Sequence, residues 1–397
     1  MKPRIRKNLV VKILAALTDS GAPKSVRALI ADIDKRGNWG DFVHLLAEEG
    51  VAFLFFYYIE RHNLADLIPK EAYHSLAELY YGNLKRNMIA TVALQPIFQK
   101  FNEQTIPFIV LKGIALAELC YPSFATRGMS DADILVHKND VYRGDSCLAE
   151  LGYAAADSFV EEALQNPPGY LASLDYRKDD GSFPNIHIHW HPVNTSVPAY
   201  MFSENIDPER LWEMAIPARL ADADVLILCP EHQVVYLCEH ALRINHSFDR
   251  LILIYDIFYA INAHKDRIDW DFVVQEAKRF GLEKFVFLGL TIVERYTSFL
   301  SSGVIMKKLC PSGLTIGEQS FLSLLLHNRR FRGGSILVYL AMSRGLREKS
   351  RFLFRIFFPP RHILLQRSYA KNQKFRMLWY FRRLREVVAH IIFVLRG

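Results

Sequence analysis

The sequence contains little cysteine, and its cysteines are not arranged in pairs. The five residues are scattered and none lies in a C-x-x-C motif: Cys120, Cys147, Cys229, Cys238 and Cys310. This distribution indicates neither a disulfide framework nor a zinc ribbon, because both need paired or regularly spaced thiols. We therefore expect the protein in a reducing compartment, the cytoplasm.

Long apolar runs are also missing. No stretch reaches the ~18 uncharged apolar residues that a membrane-spanning helix requires. The first residues, MKPRIRKNLVVKILAAL, have a basic start, but Lys12 divides their short apolar run, so we predict an opening helix rather than a signal peptide. These absences favour a soluble protein, or one that associates peripherally with the inner membrane.

Acidic residues are scarce at the C-terminal end. Residues 328–397 hold 17 Lys and Arg but 2 Glu, a net charge of +15, whereas the preceding residues hold 32 basic and 40 acidic ones. Basic clusters alternate with Phe, Tyr and Leu in FRMLWYFRRLREVVAHIIFVL, which is typical of an amphipathic helix. We favour a solvated face that packs on the rest of the protein. The alternative is an anionic partner, namely a membrane surface or an acidic carrier, with nucleic acid ranked below them.

Apolar residues, by contrast, are abundant. They make up 51% of the 397 residues, enough to bury two or three packed units. Helical periodicity covers 1–102 and 229–397, whereas 103–228 holds the predicted strands IPFIVLKG, MSDADILV, residues 185–191 and VLIL. We predict an α+β fold: a small mixed β-sheet core over 103–228, flanked by N-terminal helices and a C-terminal helical domain with the basic tail.

Two acids stand at alternate positions of one predicted strand, Asp131 and Asp133. Alternate side chains of a strand point to one face, so the two carboxylates can chelate a divalent cation together. This geometry suits metal-assisted phosphoryl transfer. A second pair, Asp222 and Asp224, lies in a polar turn with no glycine-led helix upstream, and we interpret it as unrelated to the site.

A strand, the dipeptide Lys112-Gly113 and then a helix precede the acid pair. Glycine allows the backbone to approach a ligand closely, and the turn places backbone N–H groups where a triphosphate would lie. The order of the two motifs predicts a nucleotide site. Lys112 has an alternative interpretation as a solvated residue at the end of a strand.

A spaced series of motifs carries a family resemblance: LKGIALAELCYP, RGMSDADILV, LAELGY, HIHWH, CEHALRINHSFDRLILIYDI and IDWDFVVQEAKRFGL. Together they resemble a bacterial family of uncharacterised nucleotidyltransferases, type 5, in the DNA polymerase beta-like superfamily. The resemblance implies a nucleotidyltransferase core and transfer of a nucleoside monophosphate from an NTP such as ATP, with Mg²⁺, or alternatively Mn²⁺, as cofactor. The acceptor would be a small molecule or carrier-bound.

The resemblance also assigns roles to residues. Asp131 and Asp133 would hold the metal, and Lys112 and Gly113 would form the phosphate loop. Arg127 would lie near the site and neutralise phosphate charge, with a structural salt bridge as the alternative. The remaining nucleotide-binding candidates are Ser130 and His189.

The chain departs from the family at the position of a third carboxylate, where it has His187 in IHIHW. Imidazole can bind a metal, but it suits Zn²⁺ or Mn²⁺ better than Mg²⁺. An acid from the preceding turn is the alternative; the candidates are Asp175, Asp179 and Asp180. His187, His189 and His191 alternate, so a zinc site on one strand face is a further interpretation. We favour a cleft that His187 and His189 share with the acids, with His191 at the strand end.

Two functional hypotheses follow. In the first, an active nucleotidyltransferase uses Asp131, Asp133 and His187 for catalysis. In the second, the missing acid marks a catalytically impaired, nucleotide-binding or scaffold relative within a cell-envelope or biosynthetic assembly. For His240, His246 and Asp256, a role in substrate contact and a role in packing stay equally open.

Overall fold

The chain folds around one seven-stranded sheet flanked by helices, which confirms the predicted α+β class. The computed structural model describes residues 13, 23–36, 38–155, 172–193, 205–242, 250–297, 302–316, 318–319, 340, 343, 345–358, 380–385 and 387–389. Of the predicted opening helix, Ile13 is among these residues and the rest lies outside them. The predicted turn at Pro167 to Gly169 also lies outside them.

Helices occupy both ends of the described chain. They are α1 Pro23–Arg36, α2 Trp39–Glu48, α3 Ala52–Arg61, α4 Lys70–Glu103, α5 Ile114–Leu119, α6 Val141–Glu150, α7 Pro208–Glu213, α8 Pro230–Leu242, α9 Ile252–His264, α10 Trp270–Arg279, α11 Glu283–Tyr296, α12 Gly303–Leu309 and α13 Gly345–Phe357. Polar side chains cap several of their starts. Asn38 accepts from the backbone N–H of Asp41, and Asp269 accepts from those of Asp271 and Phe272.

The strands combine antiparallel and parallel pairs. They are β1 Phe108–Val110, β2 Asp131–Val136, β3 Tyr153–Ala155, β4 Ser173–Lys178, β5 Asn185–His189, β6 Ile216–Leu220 and β7 Ala223–Ile227. Their order across the sheet is β3-β4-β5-β2-β1-β7-β6. Strands β2 and β5 run parallel, as do β1 and β7, and the other neighbours are antiparallel.

The two faces of the sheet differ in character. Ala132 and Ile134 of β2, with Ile186 and Ile188 of β5, are buried in a core shared with the C-terminal half of α4. The alternate residues of these strands project from the opposite face. There Leu135 joins a second core, and the acids of β2 occupy the same face. At β2 and β5 the sheet therefore has one apolar side and one side that combines a core with polar residues.

The second core joins both ends of the chain. Phe42 and Phe55 from α2 and α3 are buried in it together with Tyr255 and Phe285 from α9 and α11. Glu49, before α3, accepts a hydrogen bond from the N–H of Leu251 at 3.1 Å. The boundaries 102/103 and 228/229 stay predictions, but the N-terminal and C-terminal helices pack as one body against the sheet.

Among the described helices, none is by itself both long and apolar enough to cross a membrane. The helices α2 and α3, bent by 117° at the break between them, pass this test only when taken together.

Candidate active site

Three adjacent strands bring the polar residues together. In the β2–β5 ladder Asp133 is opposite His187, and in the β4–β5 ladder Asp175 is opposite the same histidine. Laterally paired residues project from one face of a sheet, so these side chains form a row across it. The sequence pattern had placed Asp131 and Asp133 on one face, and the structure confirms that arrangement.

The carboxylates and imidazoles converge within hydrogen-bonding or ion-pair distance. His187 Nδ1 lies 3.4 Å from Asp131 Oδ2 and 3.5 Å from Asp133 Oδ1, and His189 Nε2 lies 3.0 Å from Asp133 Oδ1. The Nε2 of His187 contacts Asp175 Oδ1. Asp133 is 2% exposed, whereas Asp131 and His187 are partly open to solvent. The cluster therefore has a closed inner side and an accessible outer side.

The Lys112-Gly113 turn lies directly against the acids. Leu111 N donates to Asp133 O at 3.1 Å, which extends the pairing beyond the end of β1, and Lys112 Nζ lies 2.8 Å from Asp133 Oδ2. Gly113 has φ +61°, and a Cβ on it would lie 3.3 Å from the backbone oxygen of Asp131. The positive φ and the tight distance both favour glycine at this close approach. Helix α5 begins at the next residue, as the sequence predicted.

Opposite charges hold the buried acid ionised. Burial disfavours the charged form of Asp133, but the ammonium of Lys112 and hydrogen bonds from two imidazoles outweigh it, so the pKa of Asp133 lies well below its usual value. Burial lowers the pKa of Lys112, yet the charges of Asp133 and Asp131 raise it overall. Burial also lowers the pKa of His187, and hydrogen bonds to Asp133 and Asp175 raise it to about 10.

These residues suit a divalent cation. Asp133, His187 and His189 each offer one ligand atom, and the three atoms lie within 4.8 Å of one another. Asp131 adds a fourth donor beside His187. Carboxylate oxygens suit Mg²⁺ and Mn²⁺, whereas imidazole nitrogens shift the preference towards Mn²⁺ or Zn²⁺. The donor set therefore fits the cofactor class that the sequence predicted.

The other candidates lie around this cluster. Ser130 Oγ donates to Asp131 Oδ1 at 2.9 Å and so orients that carboxylate. Arg127 is buried and donates to both carboxylate oxygens of Asp256 on α9, from Nε at 3.1 Å and Nη2 at 2.9 Å. The structural ion pair is therefore present, and a role of Arg127 in phosphate binding stays a prediction.

Several sequence interpretations need correction. A zinc site on one face with three histidines is not formed, because β5 ends at His189 and His191 Nδ1 contacts the backbone of Val193. The favoured interpretation, with His191 at the strand end, is confirmed. Asp175 does not lie in a turn but in β4. Its strand could have been recognised from SLDYRK, where the buried Leu174 and Tyr176 alternate with it.

The remaining acids do not join the cluster. Asp179 and Asp180 form the turn after β4, where Asp180 accepts from the N–H of Ser182. Asp222 lies in the β6–β7 turn with φ +57°, and Asp224 Oδ1 lies 3.6 Å from Arg219. His240 is buried on α8, and His246 lies outside the described residues.

A neighbour that the sequence did not reveal is Tyr236 of α8. The negative charge of an ionised Tyr236 raises the pKa of Lys112, although less than the two acids do. This coupling indicates that α8 lies near the site. A substrate entering beside Lys112 would therefore meet both the sheet and α8.

Comparison with protein families identifies a match. The model of a family described as "Uncharacterised nucleotidyltransferase" matches residues 35–298, about two thirds of the chain. A search of the curated proteins finds no match. The matched range includes all seven strands, the acid pair and helices α2 to α11.

Proposed function

The chain belongs to this family of uncharacterised nucleotidyltransferases, and on that premise we propose that it transfers a nucleoside monophosphate from an NTP to a small-molecule or carrier-bound acceptor. The observation that carries the proposal is the convergence of Asp131 and Asp133 beside the Lys112-Gly113 turn. ATP is the nucleotide that we propose, with Mg²⁺ or Mn²⁺ as cofactor. Asp131, Asp133 and His187 are the proposed catalytic residues.

The reaction forms one bond and breaks another. An acceptor oxygen bonds to the α-phosphorus, the bond from that phosphorus to the α–β bridging oxygen breaks, and pyrophosphate leaves with the electron pair while the acceptor proton passes to a base. A bound divalent cation supplies positive charge to the phosphate oxygens. Asp131, Asp133 and His187 would hold that cation, with His189 as a further donor.

The phosphate groups would lie beside Lys112. Its ammonium neutralises Asp133 in the free protein, at 2.8 Å, and can turn to phosphate oxygens once a cation takes over that neutralisation. Gly113 leaves room for the backbone to approach the nucleotide. These residues bind and orient the triphosphate so that the α-phosphorus faces the acceptor.

A labelled-NTP experiment tests the proposal. The full chain is incubated with α-labelled NTP and Mg²⁺ or Mn²⁺, and nucleotide binding and pyrophosphate release are measured. We expect Asp131→Ala to reduce release by about 100-fold or more, the loss of about 2.7 kcal/mol of transition-state stabilisation. Asp224→Ala, in the unrelated acid pair, is the matched control and should behave as wild type. Absence of nucleotide binding in wild type, or unchanged transfer by Asp131→Ala, would refute the proposal.

A second function is favoured by the histidine in the third acidic position. His187 removes a negative charge from the site, and Lys112 together with imidazoles contacts both oxygens of Asp133. The chain would then bind nucleotide without turnover, as a scaffold relative in a biosynthetic or cell-envelope assembly. Under this alternative, His187→Asp would create transfer that wild type lacks, whereas robust wild-type turnover would exclude it.

We further propose that the basic tail places the protein at an anionic membrane surface on the cytoplasmic side. Helix α13 buries Phe352 but exposes 84% of Leu346 and 62% of Phe354, next to exposed Arg347 and Arg351. Apolar side chains flanked by basic ones are typical of helices that lie in a lipid interface. The net charge of +15 over residues 328–397 complements anionic headgroups.

Vesicle sedimentation tests this location. The full chain should pellet with vesicles containing anionic phosphatidylglycerol and remain in solution with neutral phosphatidylcholine vesicles. Phe354→Ser should weaken the association, whereas Val92→Ser, at an exposed apolar position on α4, should not. Equal binding to both kinds of vesicle, or preferential binding to RNA, would contradict the proposal.

A further inference from the structure

We infer that Asp175 is a positioning residue that holds His187 as a nitrogen ligand for the divalent cation, so that the site selects Mn²⁺ over Mg²⁺. The inference rests on the proposed function, because the cation is the one that transferase chemistry would use. It concerns a strand that the family resemblance did not identify as part of the site.

The sheet register determines which side chains can meet. Asp133, His187 and Asp175 are directly opposite one another on β2, β5 and β4, so one row crosses three strands with an acid at each end and an imidazole between them. The two ring nitrogens lie on opposite sides of the imidazole, so when one nitrogen of His187 faces Asp175, the other faces β2. The row therefore aligns the two ring nitrogens with two different partners.

The two nitrogens of His187 do have different partners. Nε2 contacts the carboxylate of Asp175, whereas Nδ1 faces Asp131 Oδ2 at 3.4 Å and Asp133 Oδ1 at 3.5 Å. Histidines that bind metals commonly donate the N–H of their other nitrogen to a carboxylate, which sets the tautomer and the ring orientation. Asp175 occupies this supporting position, and Nδ1 is directed at the acids that would hold the cation.

A bound cation would displace the proton on Nδ1 and leave the proton on Nε2 shared with Asp175. Asp175 also supplies a negative charge close to the position from which the third carboxylate is missing. The site would thus keep three acids, two of them beside the metal and the third acting through the imidazole. Its net charge would match that of a site with three carboxylates, although its ligand atoms would differ.

His189 has different neighbours. Ser173 is its partner across the β4–β5 ladder, and its Nε2 lies 3.0 Å from Asp133 Oδ1. His187 is the imidazole whose two ring nitrogens both face carboxylates in this row of the sheet. Because Mg²⁺ prefers an all-oxygen octahedron and Mn²⁺ also accepts imidazole, a nitrogen ligand favours Mn²⁺.

Electron paramagnetic resonance on the full chain tests this inference. Continuous-wave spectra measure free Mn²⁺ and hence affinity, and pulsed spectra detect ¹⁴N coupling from a bound imidazole. We expect wild type to bind Mn²⁺ more tightly than Mg²⁺ and to show ¹⁴N coupling. Asp175→Asn should bind Mn²⁺ about 10- to 100-fold more weakly, with reduced coupling. Asp179→Asn, an exposed acid in the turn after the same strand, is the matched control.

Further variants identify the ligand. His187→Ala should weaken the ¹⁴N coupling to the contribution of His189 alone, and His187→Asp should shift the preference towards Mg²⁺. Should Asp175→Asn fail to fold, Asp175→Glu, which retains the charge at a changed distance, together with His187→Ala provides the same comparison. The inference is overturned by wild type that binds no Mn²⁺, by ¹⁴N coupling of unchanged strength in His187→Ala, or by unchanged affinity and coupling in Asp175→Asn.

Nucleotide transfer is measured separately on the same samples. The expected Mn²⁺ spectra without any transfer would refute the transferase proposal and support the ligand assignment. Transfer together with unchanged spectra in Asp175→Asn would support the transferase proposal and refute the ligand assignment.

Discussion

Asp133 carries a charge in an environment that excludes most solvent. Removing a carboxylate from water costs several kcal/mol unless counter-charges and hydrogen bonds compensate. In the free protein the compensation comes from Lys112 and from the imidazoles of His187 and His189. Under the proposed function, each of these partners would exchange Asp133 for a ligand, and the contacts that stabilise the free site would then give way to a cation and a phosphate.

Gly113 gives a prediction at the scale of one residue. Its φ of +61° is strained for any residue with a side chain, and its added Cβ would press on Asp131 O. Gly113→Ala should lower the unfolding free energy by about 1–3 kcal/mol and weaken NTP binding. Urea unfolding and equilibrium dialysis measure the two effects.

Gly152 is the matched control for this change. It has φ +81° but nothing within 4 Å of an added Cβ. Gly152→Ala should therefore destabilise the fold without altering nucleotide affinity. If both variants bound NTP equally well, the close approach of the turn would have no part in binding.

Arg127 gives a second prediction, which separates its two interpretations. Breaking a buried ion pair costs about 3–5 kcal/mol, so Arg127→Met and Asp256→Asn should both be strongly destabilising in urea unfolding. Arg143→Met, which breaks the exposed pair with Asp140, should cost about 0–1 kcal/mol. If Arg127 also binds phosphate, Arg127→Met should lower NTP affinity more than Asp256→Asn does.

At the scale of elements, a buried cluster of polar side chains connects three helices. His232 on α8 has Nε2 2.9 Å from Glu276 Oε2 on α10, and Arg210 on α7 has Nε 3.2 Å from the same oxygen. Burial is the main cause that lowers the pKa of His232, and it outweighs the attraction of Glu276. The histidine is therefore buried neutral, which couples the packing of these helices to pH.

The sign of this coupling gives a third prediction. Because the pKa of His232 is lower in the folded chain than its ordinary value of 6.5, the unfolded chain binds more protons just below pH 6.5. The unfolding free energy should fall as pH drops through 6.5 and level off below the folded pKa. His232→Gln should flatten this slope in urea unfolding at pH 5 to 8, and parallel curves would contradict the assignment.

At the scale of the whole molecule, the sheet depends on helices from both ends of the chain. Ile109, Leu111, Leu116 and Leu135 from the sheet region are all fully buried in the core built by these helices. Burying the apolar surface of these residues stabilises the fold by about 25 cal/mol for each Å² removed from water. We therefore expect the sheet region to unfold together with these helices.

The fourth prediction concerns excision of that region. Residues 103–228 expressed alone should lack a cooperative unfolding transition, because the apolar face that packs against the helices would be exposed to water. Residues 35–298, which retain helices from both sides, are the matched comparison and should unfold cooperatively. Circular dichroism during thermal unfolding measures both, and a sharp transition for 103–228 alone would show an independent domain.

Sequence patterns predicted most elements but not their neighbours. Periodicity and turn residues, which involve only positions close in sequence, predict strand β2, the Lys112-Gly113 turn and the helices after Pro230. Strands β3, β4 and β6 were missed, because they are short or combine polar and apolar residues. Their pairing partners, rather than their own composition, stabilise them as strands.

The sequence by itself determined that Asp131 and Asp133 share a face and follow a glycine-led helix, because strand alternation is a property of adjacent residues. It also determined the charge of the tail and the family. Only the tertiary structure decided that Asp175 stands beside His187 and that Arg127 pairs with Asp256, 129 residues away. Strand order and long-range pairing result from the packing of the whole chain, which no local pattern encodes.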